Sequence, residues 1–160
     1  GTKKDSLDTR STPEIIEITD KSDMQTSQLI GLLRGRFLVE ISGEDLPRLD
    51  KSLPPPNKPV IRQFYLSEAP DKELAMFSTN EILASTLTVM GFRERLEFER
   101  VWFERFGTHP DYRRTATLCA GSPIAPHNNV AMVFWKNNKL NIDWCCPNSK
   151  DKYLRARKAI

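Results

Sequence analysis

Residues 130–146, VAMVFWKNNKLNIDWCC, restrict the fold of this chain more than any other stretch. Two apolar runs meet at Asn137-Asn138, a pair suited to the centre of a tight hairpin turn. Side chains alternate between the faces of a strand, so that turn sets Trp135 opposite Leu140, Val133 opposite Ile142 and Ala131 opposite Trp144. One face is then wholly apolar and has to be covered, and Cys146 falls on it. The other face pairs Lys136 with Lys139, Phe134 with Asn141, Met132 with Asp143 and Val130 with Cys145. Residues 130–135 are apolar on both sides and read as an interior strand, whereas residues 140–146 belong nearer an edge, with a mixed outer face.

Upstream, TSQLIGLLRG reads as a short helix with Thr26 or Ser27 as cap and Gly35 as stop, followed by the strand RFLVEIS. GEDLPRLDKSL holds a turn of helix limited by Pro47. LPPPNKP then imposes an extended connector before a second strand, VIRQFYLS. The strongest helical signal is NEILASTLTVMGFRERLEFERVWFERFG, with Ser78, Thr79 or Asn80 as cap, Gly107 as stop and a split or bend at Gly91. In its second half Phe92, Leu96, Phe103 and Phe106 fall within about 80° of one another, and Phe98 and Trp102 widen that stripe. Arg93 with Glu97, Arg95 with Glu99 and Arg100 with Glu104 stand four residues apart. They read as weak surface pairs that neutralise the helix and leave it no free basic face.

TATLCA adds a short strand, GSPIAPHNN a proline-punctuated loop, and Pro147-Asn148-Ser149 the start of a basic helix through YLRARKAI. The order predicts an α+β fold, a largely antiparallel sheet of about five strands ending in a C-terminal β-hairpin and packed against a long helix. Residues 1–24 are polar apart from the IIEI patch and read as a flexible leader. Residues 25–160 read as a single domain excised from a longer protein, since the helical pattern still runs at Ile160.

At 160 residues and 39% hydrophobic content the chain suits one domain with a real core. No apolar run approaches the roughly 18 residues that span a bilayer, and no secretory signal segment is evident, so no membrane partner is expected. Three cysteines, Cys119, Cys145 and Cys146, form no even disulfide framework, which points to an intracellular, reducing compartment. Residues 107–160 carry nine Lys and Arg against three Asp, a net of +6 in a chain whose total is +3. That asymmetry suits an acidic partner.

The candidate contacts are Arg113 and Arg114 after the THPDY turn, Lys136 and Lys139 at the hairpin tip, and Lys150, Lys152, Arg155, Arg157 and Lys158 on the terminal helix. The function these residues suggest is a non-catalytic module of a larger intracellular protein that holds DNA or RNA through its phosphates. A protein-interaction or assembly domain is the first alternative, docking through the proline loop, an edge strand at 140–146 or the end of the terminal helix. A hydrolase or transferase using Cys145 or Cys119 with His127 is the second. The spacings of His109, His127 and the cysteines match no zinc pattern, and no phosphate loop or dinucleotide fingerprint occurs, so neither metal nor cofactor is expected. Trp135 and Trp144 share the apolar hairpin face and are expected to pack in the core rather than to stack on a ligand.

Overall fold

The computed structural model of the chain describes residues 13–160. Its centre is the hairpin of β5 (Val130–Lys136) and β6 (Lys139–Cys145), paired Trp135 to Leu140, Val133 to Ile142 and Ala131 to Trp144. Asn137 and Asn138 have φ of 57° and 59°, the left-handed pair whose twist matches that of the flanking strands. Ala131, Val133, Leu140 and Ile142 are buried in one cluster, with Trp135 and Trp144 packed against it.

The hairpin lies inside a five-stranded sheet of order β2-β6-β5-β4-β7, where β2 is Val39–Ile41, β4 is Ala116–Leu118 and β7 is Leu154–Arg155. The two inner junctions are antiparallel and the two outer ones, β2 with β6 and β4 with β7, are parallel. The sheet is therefore mixed, not largely antiparallel. A hairpin compels its two strands to oppose each other, but β2 and β7 pair with strands that are not their neighbours in sequence, β6 and β4, so no tight turn sets their direction. β6 is also not a free edge, because β2 covers it from Leu140 to Ile142. The face expected to be outward is a second core, in which Val130 packs with Leu74, Ile82, Val89, Leu118 and Leu154, and Met132 and Cys145 lie against them. Cys146 follows the last paired residue and is exposed rather than packed.

Helix α1 (Thr26–Arg34) contains Thr26 instead of being capped by it, and the Thr26 hydroxyl donates to the Leu53 carbonyl at 2.6 Å. Helix α2 (Leu46–Ser52) starts at Asp45, whose carboxylate accepts from the Arg48 N–H. The long helical signal divides into α3 (Thr79–Leu83), capped reciprocally by Ser78 and Glu81, and α4 (Phe92–Phe106). Between them Thr86, Thr88 and Val89 are β-branched, and the segment pairs instead with the end of the chain: Met90 N–H donates to the Arg157 carbonyl and Ala159 N–H to Thr88. A Cβ at Gly91 would displace Ser122 Oγ, which accepts the Phe92 N–H at 3.0 Å and so closes the start of α4. Gly107 ends α4 at φ 67°, a left-handed cap.

Two expectations fail at the ends of the chain. Residues 1–12 of the expected leader lie outside the described residues, but Ile15–Asp20 is a strand, β1, antiparallel to β3 (Val60–Tyr65). Its alternation puts Ile16 and Ile18 in a third core with Phe64, Met90, Phe98 and Trp102. The expected terminal helix is extended chain: Leu154 and Ala156 alternate inward, and β7 and the residues after it find backbone partners on β4, Thr88 and β3. Helix α4 thus turns Phe92 and Leu96 toward the large sheet and Phe98 and Trp102 toward the small one. With apolar contact on two sides, the charges between those residues are enclosed. Among the described residues no helix is long and apolar enough to cross a membrane.

Candidate nucleic-acid interface

The loop after α4 is held by an ion cluster that the sequence suggests only in fragments. Asp111, at φ 55°, is buried. Its Oδ2 accepts from Arg95 Nη2 and Arg157 Nη2, both at 3.1 Å, and from Thr117 Oγ1 at 2.6 Å. Its Oδ1 accepts from Thr115 Oγ1 at 2.7 Å. Arg95 reaches a second carboxylate, Glu99, through Nη1 at 2.8 Å, and the other oxygen of Glu99 lies 2.6 Å from His109 Nδ1. The His109 ring stacks on Trp135, with centroids 3.4 Å apart, and Phe103 stacks on His109 at 4.9 Å.

Two arginines thus face two carboxylates, the balance that buried charge requires. Burial alone would raise the Asp111 carboxyl, but Arg157 and Arg95 outweigh it and hold it below the usual carboxylate range. Burial disfavours both guanidinium cations. It prevails at Arg157, which has one carboxylate partner and is lowered, and is outweighed at Arg95, which has two and is raised. Arg157 completes its shell with the carbonyls of Ser67, Glu68 and Ala69.

This cluster fixes both ends of a short segment. Asp111 and Thr115 are pinned inside, so Tyr112, Arg113 and Arg114 between them project outward, and all three are exposed. The neighbouring wall is the start of β7, joined where Ala116 N–H donates to the Tyr153 carbonyl at 2.9 Å. Arg113 Nε donates to Tyr112 Oη at 2.8 Å and its guanidinium stands 5.3 Å from that ring centroid. Arg114 Nη1 donates to Tyr153 Oη at 2.8 Å and stands 5.4 Å from that ring, with Lys152 Nζ 5.1 Å from the same centroid. The hydrogen bond from Arg114 lowers the Tyr153 hydroxyl pKa. Two carboxylates border the patch. Glu68 accepts the Tyr112 N–H at 3.1 Å and Asp151 the Tyr153 N–H at 2.8 Å, so each steadies a tyrosine backbone. Lys136 follows Trp135, whose N–H donates to the Asp111 carbonyl at 3.0 Å, which docks the hairpin end on the same loop.

The nine cations picked from sequence therefore separate. Arg113, Arg114, Lys136 and Lys152 have no carboxylate partner among the described residues. Lys139 is paired with Glu40, Lys150 with Glu81 and Lys158 with Glu73. Arg155 is turned onto the carbonyls of Lys152 and Pro70, and Arg157 is buried. No terminal helix exists to gather the last five. Tyr112 and Tyr153 were missed by the sequence reading although each adjoins a selected cation, a pattern of aromatic and basic residues side by side that could have marked them. Asp111, Arg95, Glu99 and His109 carry no such local signal.

Neither cysteine of the hydrolase reading is an activated thiol; the one cysteine whose thiol is lowered is the exposed Cys146, through its hydrogen bond with Ser149. Cys119 is buried, its thiol raised by burial, and Cys145 is pushed up to about 11 by the same cause. His127 lies on an exposed loop. Among the described residues no group of three or more His, Cys, Asp or Glu side chains is arranged to hold a metal ion. The chain matches no family model, no curated protein and no solved structure.

Proposed function

We propose that this chain is a nucleic-acid-binding module, part of a larger protein, that contacts phosphates through Arg113, Arg114, Lys152 and Lys136. The observation that carries the reading is the pinned 111–115 segment, which presents two adjacent arginines beside Lys152, neither of them ion-paired to a carboxylate among the described residues. Arginine suits phosphate because its planar fork makes paired, charge-assisted bonds, and a loop anchored at both ends loses little freedom on binding. Titration of a labelled DNA or RNA against salt tests it. Three or four phosphate contacts give a slope of log K on log salt of about −2 to −4, and absence of binding at low salt overturns the proposal.

A protein-interaction reading has one observation of its own. Ile61, Leu87 and Ile160 are 59%, 43% and 54% exposed and border an open cleft with Gln63, Thr86 and Thr88. A partner covering that cleft would raise the melting temperature where nucleic acid leaves it unchanged.

A further inference from the structure

Resting on the nucleic-acid reading, we infer that the bound strand is single, and that Tyr112 and Tyr153 stack its bases while the arginines now lying over them hold its phosphates. Tyr112 is 46% exposed, and Tyr153 is half-buried in the turn just before β7. Both carry a guanidinium near the ring, at 5.3 and 5.4 Å from the centroids, and Lys152 lies against Tyr153 as well. A cation over an exposed ring is a weak contact, on the order of 0.5–1 kcal/mol. A phosphodiester offers the guanidinium a charge-assisted partner that the tyrosine hydroxyl does not. Moving Arg113 and Arg114 onto phosphates uncovers the two rings for the bases those phosphates join.

A duplex cannot complete that exchange. Its bases already stack on one another, and reading their edges needs a helix or a ribbon that enters a groove. The patch is a three-residue projection beside a two-residue strand, and the only basic residue of the hairpin without a carboxylate partner among the described residues is Lys136. Flat rings interleaved with cations suit unstacked bases of any sequence, in DNA or RNA. Glu68 and Asp151, bonded to the tyrosine N–H groups, hold the backbone from which the two rings project.

The test uses fluorescence anisotropy of the whole chain with labelled oligothymidylate, oligouridylate and a hairpin duplex of equal phosphate number. Both single strands bind about ten-fold tighter than the duplex. Tyr112→Leu and Tyr153→Leu each weaken single-strand binding about ten-fold with the salt slope unchanged, the loss of one stacked base. Tyr153→Phe restores what Tyr153→Leu loses, because stacking needs the ring, whereas a role through the Arg114 bond to the hydroxyl would not be rescued. Arg113→Gln lowers the salt slope by about 0.7. Duplex binding equal to or tighter than single-strand binding, or leucine variants that bind as the parent does, overturns the inference while leaving the phosphate reading standing. Absence of binding to all three probes overturns both.

Discussion

Arg157 and Arg114 carry the same guanidinium and stand in opposite surroundings. Arg157 makes five hydrogen bonds in the interior, to Thr117, Ser67, Ala69, Glu68 and Asp111. Arg114 is exposed and bonds a tyrosine hydroxyl. A charge count along the chain treats them alike. The fold does not: acids from elsewhere in the chain, Glu40, Glu73, Glu81 and Asp111, take up Lys139, Lys158, Lys150 and Arg157. Of the nine candidate cations, those without a carboxylate partner among the described residues and still turned outward are the ones next to tyrosine and Lys136 at the hairpin tip. The interior arginines fix the segment from which the exposed ones project, so the two groups should separate cleanly under mutation.

The largest effect is expected at the shared carboxylate. Asp111→Asn leaves Arg157 without its counter-charge and should cost about 3–5 kcal/mol, read from urea unfolding; a loss under 1 kcal/mol would break the contrast. The same carboxylate sets an acid limb. Its folded pKa is depressed, so its contribution is complete above the unfolded value of about 3.9 and is lost as pH falls through the folded value. The parent should therefore lose stability on acidification below about pH 4, and the Asn variant should show a shallower decline.

Glu99→Gln is milder, because Arg95 keeps Asp111, and roughly 1–3 kcal/mol is expected in the same assay. Smallest is the joint substitution of Arg113 and Arg114 by Gln. The urea midpoint should stay where it is while the salt dependence of nucleic-acid binding falls by about 1.4 to 1.8 in slope. A shifted midpoint would mean that the exposed pair also holds the loop.

The hairpin was legible because three independent signals agree there: turn residues, alternation and an apolar face. The split near Gly91, the stop at Gly107 and the cap at Ser78 were legible for similar reasons of local chemistry, although Gly91 begins the second helix and the first already ends at Leu83. Residues 154–157 were not. Leu154 and Ala156 alternate as a strand does, but YLRARKAI also suits a basic helix, and only pairing with β4 and Thr88 decides between them. IIEITD was hidden because its partner strand lies beyond α1, β2 and α2. The pair Arg95–Glu99 looks the same on paper as Arg100–Glu104, yet the first is fully buried and the second is not. The clue was the width of the apolar stripe: a helix with Phe92, Leu96, Phe98 and Trp102 around its girth has to be covered on more than one side.

Asp111 has a consequence for how the molecule assembles. It meets Arg157 across 46 residues of chain, and Arg157 meets the Ser67 carbonyl across 90. Until residue 157 arrives, one of the two counter-charges is missing, and water is the better host for that carboxylate. Closing the interior around this carboxylate therefore depends on contacts 46 and 90 residues apart, the kind of long-range step whose loop-closure cost slows the folding of a small α+β domain.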